Sequence, residues 1–207
     1  MILELMQNRR SIRRFKPEVP PDADILKLIE AAVAAPSATN KQPWRFLIAK
    51  KRKYFKIIAG AVDKARQNYL PLLSPEYRSE FENYSIHFMS FQNAPVIILP
   101  IYRAFQGISA LVKEKSPEKE VVFLRAYEHN TALMSVSLAI QNILLMSEAV
   151  GLGACCMTGP LIGRVEIEKG LLVPKGWQIA AIIAVGYPDE APEPPGRKKL
   201  EMVTRWL

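Results

Sequence analysis

The first residues that could do chemistry form a basic cluster near the start of the chain. Arg9, Arg10, Ser11 and Arg13 lie within five positions, at the end of a predicted short helix. A guanidinium group holds a phosphate through two parallel hydrogen bonds, and a serine hydroxyl adds a compact donor. Basic residues at the carboxyl end of a helix also complement its dipole without any ligand. The spacing alone leaves phosphate binding and a structural role both open.

A second candidate is the polar turn that precedes the first predicted strand. Its side chains are mostly small or carry amides, and they include Pro36, Ser37, Ala38 and Asn40. Serine and asparagine commonly bond to nearby backbone in turns. The same groups could instead donate hydrogen bonds to a heteroaromatic ring, and the turn by itself does not distinguish the two roles.

The third candidate covers residues 151–160, which read Gly-Leu-Gly-Ala-Cys-Cys-Met-Thr-Gly-Pro. It begins like a dinucleotide-binding fingerprint, but Cys156 stands where the third glycine belongs and a helix precedes it instead of a strand. The segment therefore fails as a Rossmann motif. A tight backbone at Thr158 and Gly159 could still bring N–H groups close to a ligand. We expect the adjacent Cys155 and Cys156 to be small buried residues.

The fourth candidate is the basic tail, where Arg197 and Lys199 follow a proline-rich stretch. Such an ending is usually a solvated surface. The whole chain has a formal net charge of +8, but residues 1–66 alone hold 15 Lys and Arg against 6 Asp and Glu. Any function must therefore account for the anion that meets the first third of the chain.

Composition disfavours several other classes of function. His87 and His129 are the only histidines and have no cysteine or carboxylate at metal-ligand spacing, so we expect no metal site. The two cysteines are adjacent, which very rarely allows a disulfide and fits a reducing cytoplasm. No uninterrupted run of about 18 apolar residues and no signal-peptide core occurs, so we expect no membrane partner. The basic third lacks interleaved exposed aromatics, which disfavours the alternative of a nucleic-acid-binding module.

The elements that must position these residues alternate between helices and strands. Helices are predicted over 2–8, from an N-cap at Asp22 to Pro36, and over 51–69, 121–150 and 162–170, with strands over 44–49, 94–102, 154–157 and 178–187. Pro71 and Pro75 predict a loop that continues as a polar-aromatic stretch to residue 92, and residues 103–120 predict an exposed excursion. Two helices precede any strand, which indicates a single α+β, three-layer domain over residues 1–207 and not a doubly wound nucleotide-binding fold.

Taken in order, these segments resemble the nitroreductase family of FMN-dependent oxidoreductases. The resemblance rests on Arg-Arg-Ser-Ile-Arg-Arg-Phe at 9–15, the proline-flanked turn at 35–44, Ala-Ile-Gln-Asn-Ile-Leu-Leu at 139–145, the glycine-rich segment at 151–159 and Val-Gly-Tyr-Pro at 185–188. Each motif is weak alone, but five in register across about 190 residues form a specific signal.

The resemblance implies a central, mostly antiparallel sheet flanked by helices, and an intertwined homodimer with FMN at the subunit interface. The phosphate, ribityl chain and pyrimidine edge of one FMN would be held by Arg9, Arg10, Ser11 and Arg13. The partner subunit would reach the same flavin with Pro36, Ser37, Ala38 and Asn40. The ring near N5 would be covered by Met157, Thr158 and Gly159, and the phosphate would be closed off by Arg197 and Lys199.

The chemistry implied by the resemblance needs no dedicated catalytic side chain. NADH or NADPH would deliver a hydride to FMN, and Arg13 would stabilise the charge left on the ring, supported by the Thr158 backbone. A nitroaromatic, quinone or related small molecule would then be reduced in a ping-pong reaction. A flavin-dependent dehydrogenase or a reductive dehalogenase on the same fold stays open as an alternative. We expect the substrate ceiling to come from residues 70–92 and 103–127, with the aromatic candidates Tyr84, Phe88, Phe91, Phe105 and Tyr127.

Overall fold

A computed structural model describes residues 2–105 and 107–207 of the chain. Met1 and Gln106 lie outside the described residues. The predicted excursion over 103–120 therefore includes one position, Gln106, about which we make no structural statement.

An antiparallel sheet forms the centre of the fold. Its strands are β1 (Trp44–Ala49), β2 (Val96–Tyr102), β3 (Gly153–Met157), β4 (Gln178–Ile179) and β5 (Ile182–Gly186). The order is β1-β2-β5-β3, with β4 also paired to β2, and every ladder is antiparallel. All seven residues of β2 are buried, as expected for a strand that is apolar on both faces. The predicted antiparallel α+β fold is confirmed.

The strand predicted over 178–187 is interrupted, which its continuous apolar run did not indicate. Ile101 pairs with Ile179, but Ile98 pairs with Ile183, so the β4–β5 chain carries one more residue than β2 between these two pairs. This is the signature of a β-bulge. Pro100 lies at the interruption, has no N–H to donate to the ladder, and accepts a 2.8 Å bond from the Ala180 N–H.

Within the described residues, six α-helices surround the sheet. They are α1 (Ile2–Asn8), α2 (Asp22–Val33), α3 (Arg52–Tyr69), α4 (Pro75–Ser85), α5 (Glu118–Ala149) and α6 (Arg164–Gly170). Helices α2 and α5 pack together on one face of the sheet around Leu28, Val136 and Ile143. On the other face, α3 and α6 enclose a second cluster of buried apolar side chains. The sheet is thus the middle of three layers.

Two local predictions were wrong. Asp22 is the first residue of α2 and not its N-cap, because Pro21 occupies the capping position, and the Asp22 carboxylate pairs with Lys50. The loop predicted after Pro75 is helix α4, since proline at the first helical position pre-sets the backbone and loses no needed N–H. A 3-10 segment over Ile86–Asn93 then leads into β2.

Helix α5 has a covered and an uncovered side. Its inner side packs on α2, β2 and β3. Its outer side is apolar but open, with Met134 70% and Leu138 48% exposed. By length and composition alone α5 could cross a membrane, with a mean hydropathy of 1.4 over 18 residues, of which 39% are buried. A soluble core helix meets the same criteria.

Two glycines of the α3 layer give opposite predictions. A Cβ at Gly60 would meet no atom within 4 Å, so Gly60→Ala should stabilise the fold by about 0.5–1 kcal/mol through the lower backbone entropy of alanine in the unfolded chain. A Cβ at Gly163 would lie 2.7 Å from the Ala61 carbonyl oxygen, so Gly163→Ala should destabilise it. Urea denaturation of both variants measures the two signs.

Candidate functional site

The basic segment that follows α1 is held against strand β3. Ser11 bridges to Ala154, and the Ile12 N–H donates to the Ala154 carbonyl at 3.1 Å. A Cβ at Gly153 would lie only 2.8 Å from the Cβ of Ile12, so this close approach requires glycine. The side chains of the basic segment are thereby fixed beside the edge strand of the sheet.

A single carboxylate brings the tail back to the same segment. Glu190 accepts hydrogen bonds from the backbone N–H groups of Arg13 and Arg14, the latter at 3.0 Å, and its carboxylate lies 3.5 Å from the Arg14 Nε. The Arg13 N–H bond is the largest influence on this group and, with the Arg14 bond and nearby guanidinium charges, outweighs desolvation to lower the pKa of Glu190. Glu190 therefore stays ionised and anchors the tail near the arginines.

The anchored tail closes a positively charged cavity of about 350 Å³, which we call the anion cavity. Four guanidinium groups and one carboxylate line it together with a serine and two prolines: Arg9, Arg10, Ser11, Arg13, Pro192, Glu193, Pro195 and Arg197. Among the described residues, no ion pair neutralises Arg9, Arg13 or Arg197. The cavity therefore has an excess of positive charge that suits a phosphate.

A second hollow, which we call the aromatic cleft, shares the lining residue Arg13 with the anion cavity. Its volume is about 380 Å³, and its lining consists of Arg13, Tyr84, His87, Phe88, Cys155, Cys156, Met157, Thr158, Gly159 and Pro160. The Tyr84 and Phe88 rings meet edge to face with centroids 5.3 Å apart. The wall is tight, because a Cβ at Gly159 would lie 2.3 Å from the Phe88 Cδ1. A flat ring in the aromatic cleft could thus be joined to a phosphate bound in the anion cavity.

The two cysteines differ in exposure. Cys155 is buried as predicted, but Cys156 is exposed, so the prediction that both are buried was wrong. Alternate side chains of a strand point to opposite faces, so Cys156 shares a face of β3 with Ala154; that face is covered at Ala154 but open at Cys156. Desolvation raises the pKa of the Cys155 thiol despite the charge of Arg13, and desolvation together with Cys155 raises the pKa of Cys156 to about 11. Neither thiol is an activated nucleophile at neutral pH.

The polar turn over 36–43 lies outside both hollows. The Ser37 Oγ accepts from the Gln42 N–H at 2.9 Å, and the Ala38 N–H donates to the Ser135 Oγ of α5 at 3.4 Å. Asn40 has a positive φ of 53°, a left-handed conformation that asparagine tolerates better than most residues. Pro36, Ser37, Ala38 and Asn40 are therefore not brought to Arg13 within one chain, and Lys199 also lies outside the anion cavity.

The aromatic residues that were predicted to form the substrate ceiling lie in different parts of the structure. Tyr84 and Phe88 line the aromatic cleft, whereas Phe91 is fully buried in the core and was wrongly included. Phe105 lines another cavity, and Tyr127 is exposed on α5. Sequence reasoning missed His87 and Glu190, and only a correct helical prediction over 75–93 could have placed the first of these beside Tyr84.

Glu128 holds the excursion after β2 and gives a pH-dependent prediction. This carboxylate is 5% exposed and accepts from the Gly107 and Ser109 N–H groups and the Ser109 Oγ, at 3.1, 2.8 and 2.6 Å. Desolvation raises its pKa, but these bonds outweigh that effect and lower it overall. Its stabilisation is therefore present above the unfolded-state pKa and is lost as the pH falls through the lower folded-state pKa.

We expect Glu128→Gln to lower the free energy of unfolding by about 1 kcal/mol at pH 7, because the charge-assisted bonds become neutral ones. The deficit should shrink below about pH 4.5, as the native carboxyl itself becomes protonated. Urea denaturation at pH 7 and pH 3.5 measures it, with the exposed Glu114→Gln as the control. A deficit that is the same at both pH values would contradict this role.

Comparison with known proteins finds similarity along the whole chain. The family model described as "Nitroreductase family" matches residues 6–187. An iodotyrosine deiodinase of Thermotoga neapolitana is 28% identical over 196 residues, covering 94% of this chain and 91% of that protein. An NADH dehydrogenase of Thermus thermophilus is 28% identical over 206 residues, covering 96% and 92%.

Solved structures give the same result. A BluB-like flavoprotein from Clostridium difficile 630 superposes with a TM-score of 0.88 at 28% identity, over 100% of this chain and 99% of that one. An iodotyrosine deiodinase bound to FMN and 3-iodo-L-tyrosine superposes with a TM-score of 0.74 at 26% identity, with the same coverage. The likeness therefore extends to the complete arrangement of sheet and helices, beyond the five short motifs.

Proposed function

The chain belongs to the nitroreductase family, and we propose that it is an FMN-dependent oxidoreductase that takes electrons from NADH or NADPH and passes them to a small-molecule acceptor. The observation that carries this proposal is that Arg13 lines both the anion cavity and the aromatic cleft. FMN consists of a phosphate on a flexible chain and a flat ring, so the two adjoining hollows fit its two ends. When bound, FMN supplies two-electron transfer between donor and acceptor.

The residues of the two hollows divide the binding of FMN between them. Arg9, Arg10, Ser11 and Arg197 face the anion cavity and would hold the phosphate and chain, with Lys199 as a further proposed contact from the tail. Met157, Thr158 and Gly159 form the cleft wall on β3 and the turn after it. Arg13 reaches both hollows, and its fixed positive charge favours electron density on the adjacent ring edge.

We place a second copy of the chain against the open apolar surface. The turn residues Pro36, Ser37, Ala38 and Asn40 would contact FMN from that partner, which agrees with their absence from the lining of both hollows in one chain. Large apolar side chains are exposed on α1, α5 and the tail, namely Leu3, Phe123, Met134, Leu138, Leu200 and Trp206. Such a surface is typical of a subunit interface. The proposal is thus a homodimer of domains that each span residues 1–207, in the cytoplasm.

The acceptor would enter over the aromatic cleft in a ping-pong reaction. Tyr84 and Phe88 offer ring faces and edges to a planar molecule, and His87 is exposed at the rim. The protonated thiols of Cys155 and Cys156 leave the cleft without an activated nucleophile. A nitroaromatic or a quinone fits this environment, since both are planar and need only electrons and protons.

Reductive dehalogenation is the second candidate, because several of the similar proteins are named iodotyrosine deiodinases. A free halotyrosine carries an ammonium group that needs an anionic partner. Among the described residues that line the cleft, no aspartate or glutamate supplies one. We therefore rank quinone or nitroaromatic reduction first. Anaerobic turnover with a quinone, a nitroaromatic and 3-iodo-L-tyrosine compares the candidates, and turnover of the iodotyrosine alone would reverse this order.

The tail arginine gives a prediction for cofactor affinity. Arg197→Ala removes one of the guanidinium groups of the anion cavity, so we expect the FMN dissociation constant to rise about tenfold. Lys199→Ala should raise it less, and the neighbouring Lys198→Ala should leave it within about twofold. Fluorescence titration of apoprotein with FMN measures all three. Equal affinity in wild type and Arg197→Ala would remove Arg197 from the site.

A further inference from the structure

A separate cavity, which we call the Tyr102 cavity, lies where strand β2 ends. Its volume is about 500 Å³, within the range of small-molecule sites. The lining includes Tyr102, Arg103, Phe105, His129, Gly176 and Gln178. None of the described residues that line it also lines the anion cavity or the aromatic cleft. No step of the proposed oxidoreductase reaction uses it.

A hydrogen-bonded chain fixes the polar wall of the Tyr102 cavity. The Tyr102 side chain is 2% exposed, and its hydroxyl lies 2.9 Å from the His129 Nε2 and donates to the Gln178 Oε1 at 3.3 Å. A phenol has one proton, so both bonds form together when His129 donates from Nε2. Because Oε1 of Gln178 is engaged with Tyr102, the amide NH₂ of Gln178 remains as a donor for a ligand.

Arg103 supplies the charge of the cavity. Its guanidinium carbon lies 5.4 Å from the centroid of the Trp177 ring, and that of Arg45 lies 4.4 Å from the same ring. Arg103 lines the cavity, whereas Arg45 does not. No carboxylate occurs among the described lining residues, so a cation and an amide donor are available beside the Phe105 ring.

We propose that the Tyr102 cavity binds a small aromatic carboxylate, held by Arg103 and the Gln178 amide with its ring against Phe105. A planar carboxylate accepts two parallel bonds from a guanidinium group, and the Phe105 ring in the cavity wall favours an aromatic ligand over a free inorganic anion. This cavity shares no described lining residue with the anion cavity or the aromatic cleft, although the Arg103 N–H donates to the carbonyl of Pro43, in the turn that we place against the FMN of a partner subunit.

The test uses benzoate as the probe and the uncharged benzamide as its analogue, with FMN-saturated protein in a titration calorimeter. Benzoate should bind, and Arg103→Gln should weaken it about tenfold, because one charge-assisted pair is lost. Arg45→Gln is the matched control, since it removes the same charge from the other contact to Trp177, and it should leave the affinity within about twofold. Equal loss in both arginine variants would overturn the proposal.

A second variant keeps the test independent of Arg103. Gln178→Glu preserves the oxygen that accepts from Tyr102 but replaces the amide donor with a negative charge, so benzoate binding should fall at least about tenfold. Benzoate stacked on flavin instead would shift the visible absorption band and bind equally well to both cavity variants. That result, or equal binding of benzamide, would overturn the proposed benzoate site in the Tyr102 cavity. Flavin content and NADH oxidation, measured on the same variants, test the proposed oxidoreductase function separately.

Discussion

Arg13→Ala should lower the rate of FMN reduction by NADH or NADPH about a hundredfold while the protein stays folded. Arg13 is the one residue that lines both the anion cavity and the aromatic cleft among the described residues. Loss of a single group that stabilises developing negative charge typically costs a factor of about 10²–10³. Rapid-mixing measurements at saturating FMN, followed by the loss of flavin absorbance, separate this effect from weaker cofactor binding.

The neighbouring arginine provides the control. Arg14 lies next in the chain but is directed to Glu190, with a side chain that is 71% exposed, and it lines neither hollow. Arg14→Ala should therefore change the reduction rate less than about twofold, as expected for an exposed ion pair. An unchanged rate in Arg13→Ala with FMN bound would contradict the assigned role, and so would equal losses in both variants.

Gly159→Ala should narrow the aromatic cleft and exclude the flavin ring from it. The new Cβ would lie 2.3 Å from Cδ1 and 2.5 Å from Cε1 of Phe88, a side chain that is only 8% exposed and cannot swing freely. Overpacking of this kind costs about 1–3 kcal/mol of stability. Because the strain falls on the cleft wall, we also expect FMN affinity to fall by at least about tenfold, measured by fluorescence titration beside urea denaturation.

A double variant tests whether Phe88 causes these losses. Phe88→Ala alone removes core packing and should cost about 3–5 kcal/mol. In the double variant Gly159→Ala, Phe88→Ala, the clash is absent, so the combined loss should be smaller than the sum of the two single losses. Strict additivity would show that the alanine at position 159 acts elsewhere.

The regular elements were predictable because each obeys one local pattern. Strand β2 is apolar at every position, and α5 repeats its buried residues Val136, Ile140 and Ile143 at helical spacing. Helix α4 was missed because its composition is polar and Pro75, like Pro71 before it, resembles a loop residue, although Pro75 stands where a helix can begin. The bulge after β4 depends on pairing between distant strands, which no local pattern reveals.

The candidate site was predicted in its residue types more fully than in its arrangement. The basic segment and the turn after β3 were found, and the structure brings Arg13 together with Thr158 and Gly159. Glu190 could not be foreseen, since its partners are backbone N–H groups more than 170 positions away. The positions of the basic residues predicted the site better than the net charge did. Arg9, Arg13 and Arg197 line the anion cavity together, whereas the lysines after β1 lie outside it.

The central claim is that this chain holds FMN at the junction of the two hollows and accepts electrons from a nicotinamide donor. The most direct measurement is the visible spectrum of the purified protein before and after anaerobic addition of NADH or NADPH. We expect a flavin band at about 450 nm that one or both donors bleach. A protein that stays colourless after incubation with FMN, or whose bound flavin neither donor bleaches, would contradict it.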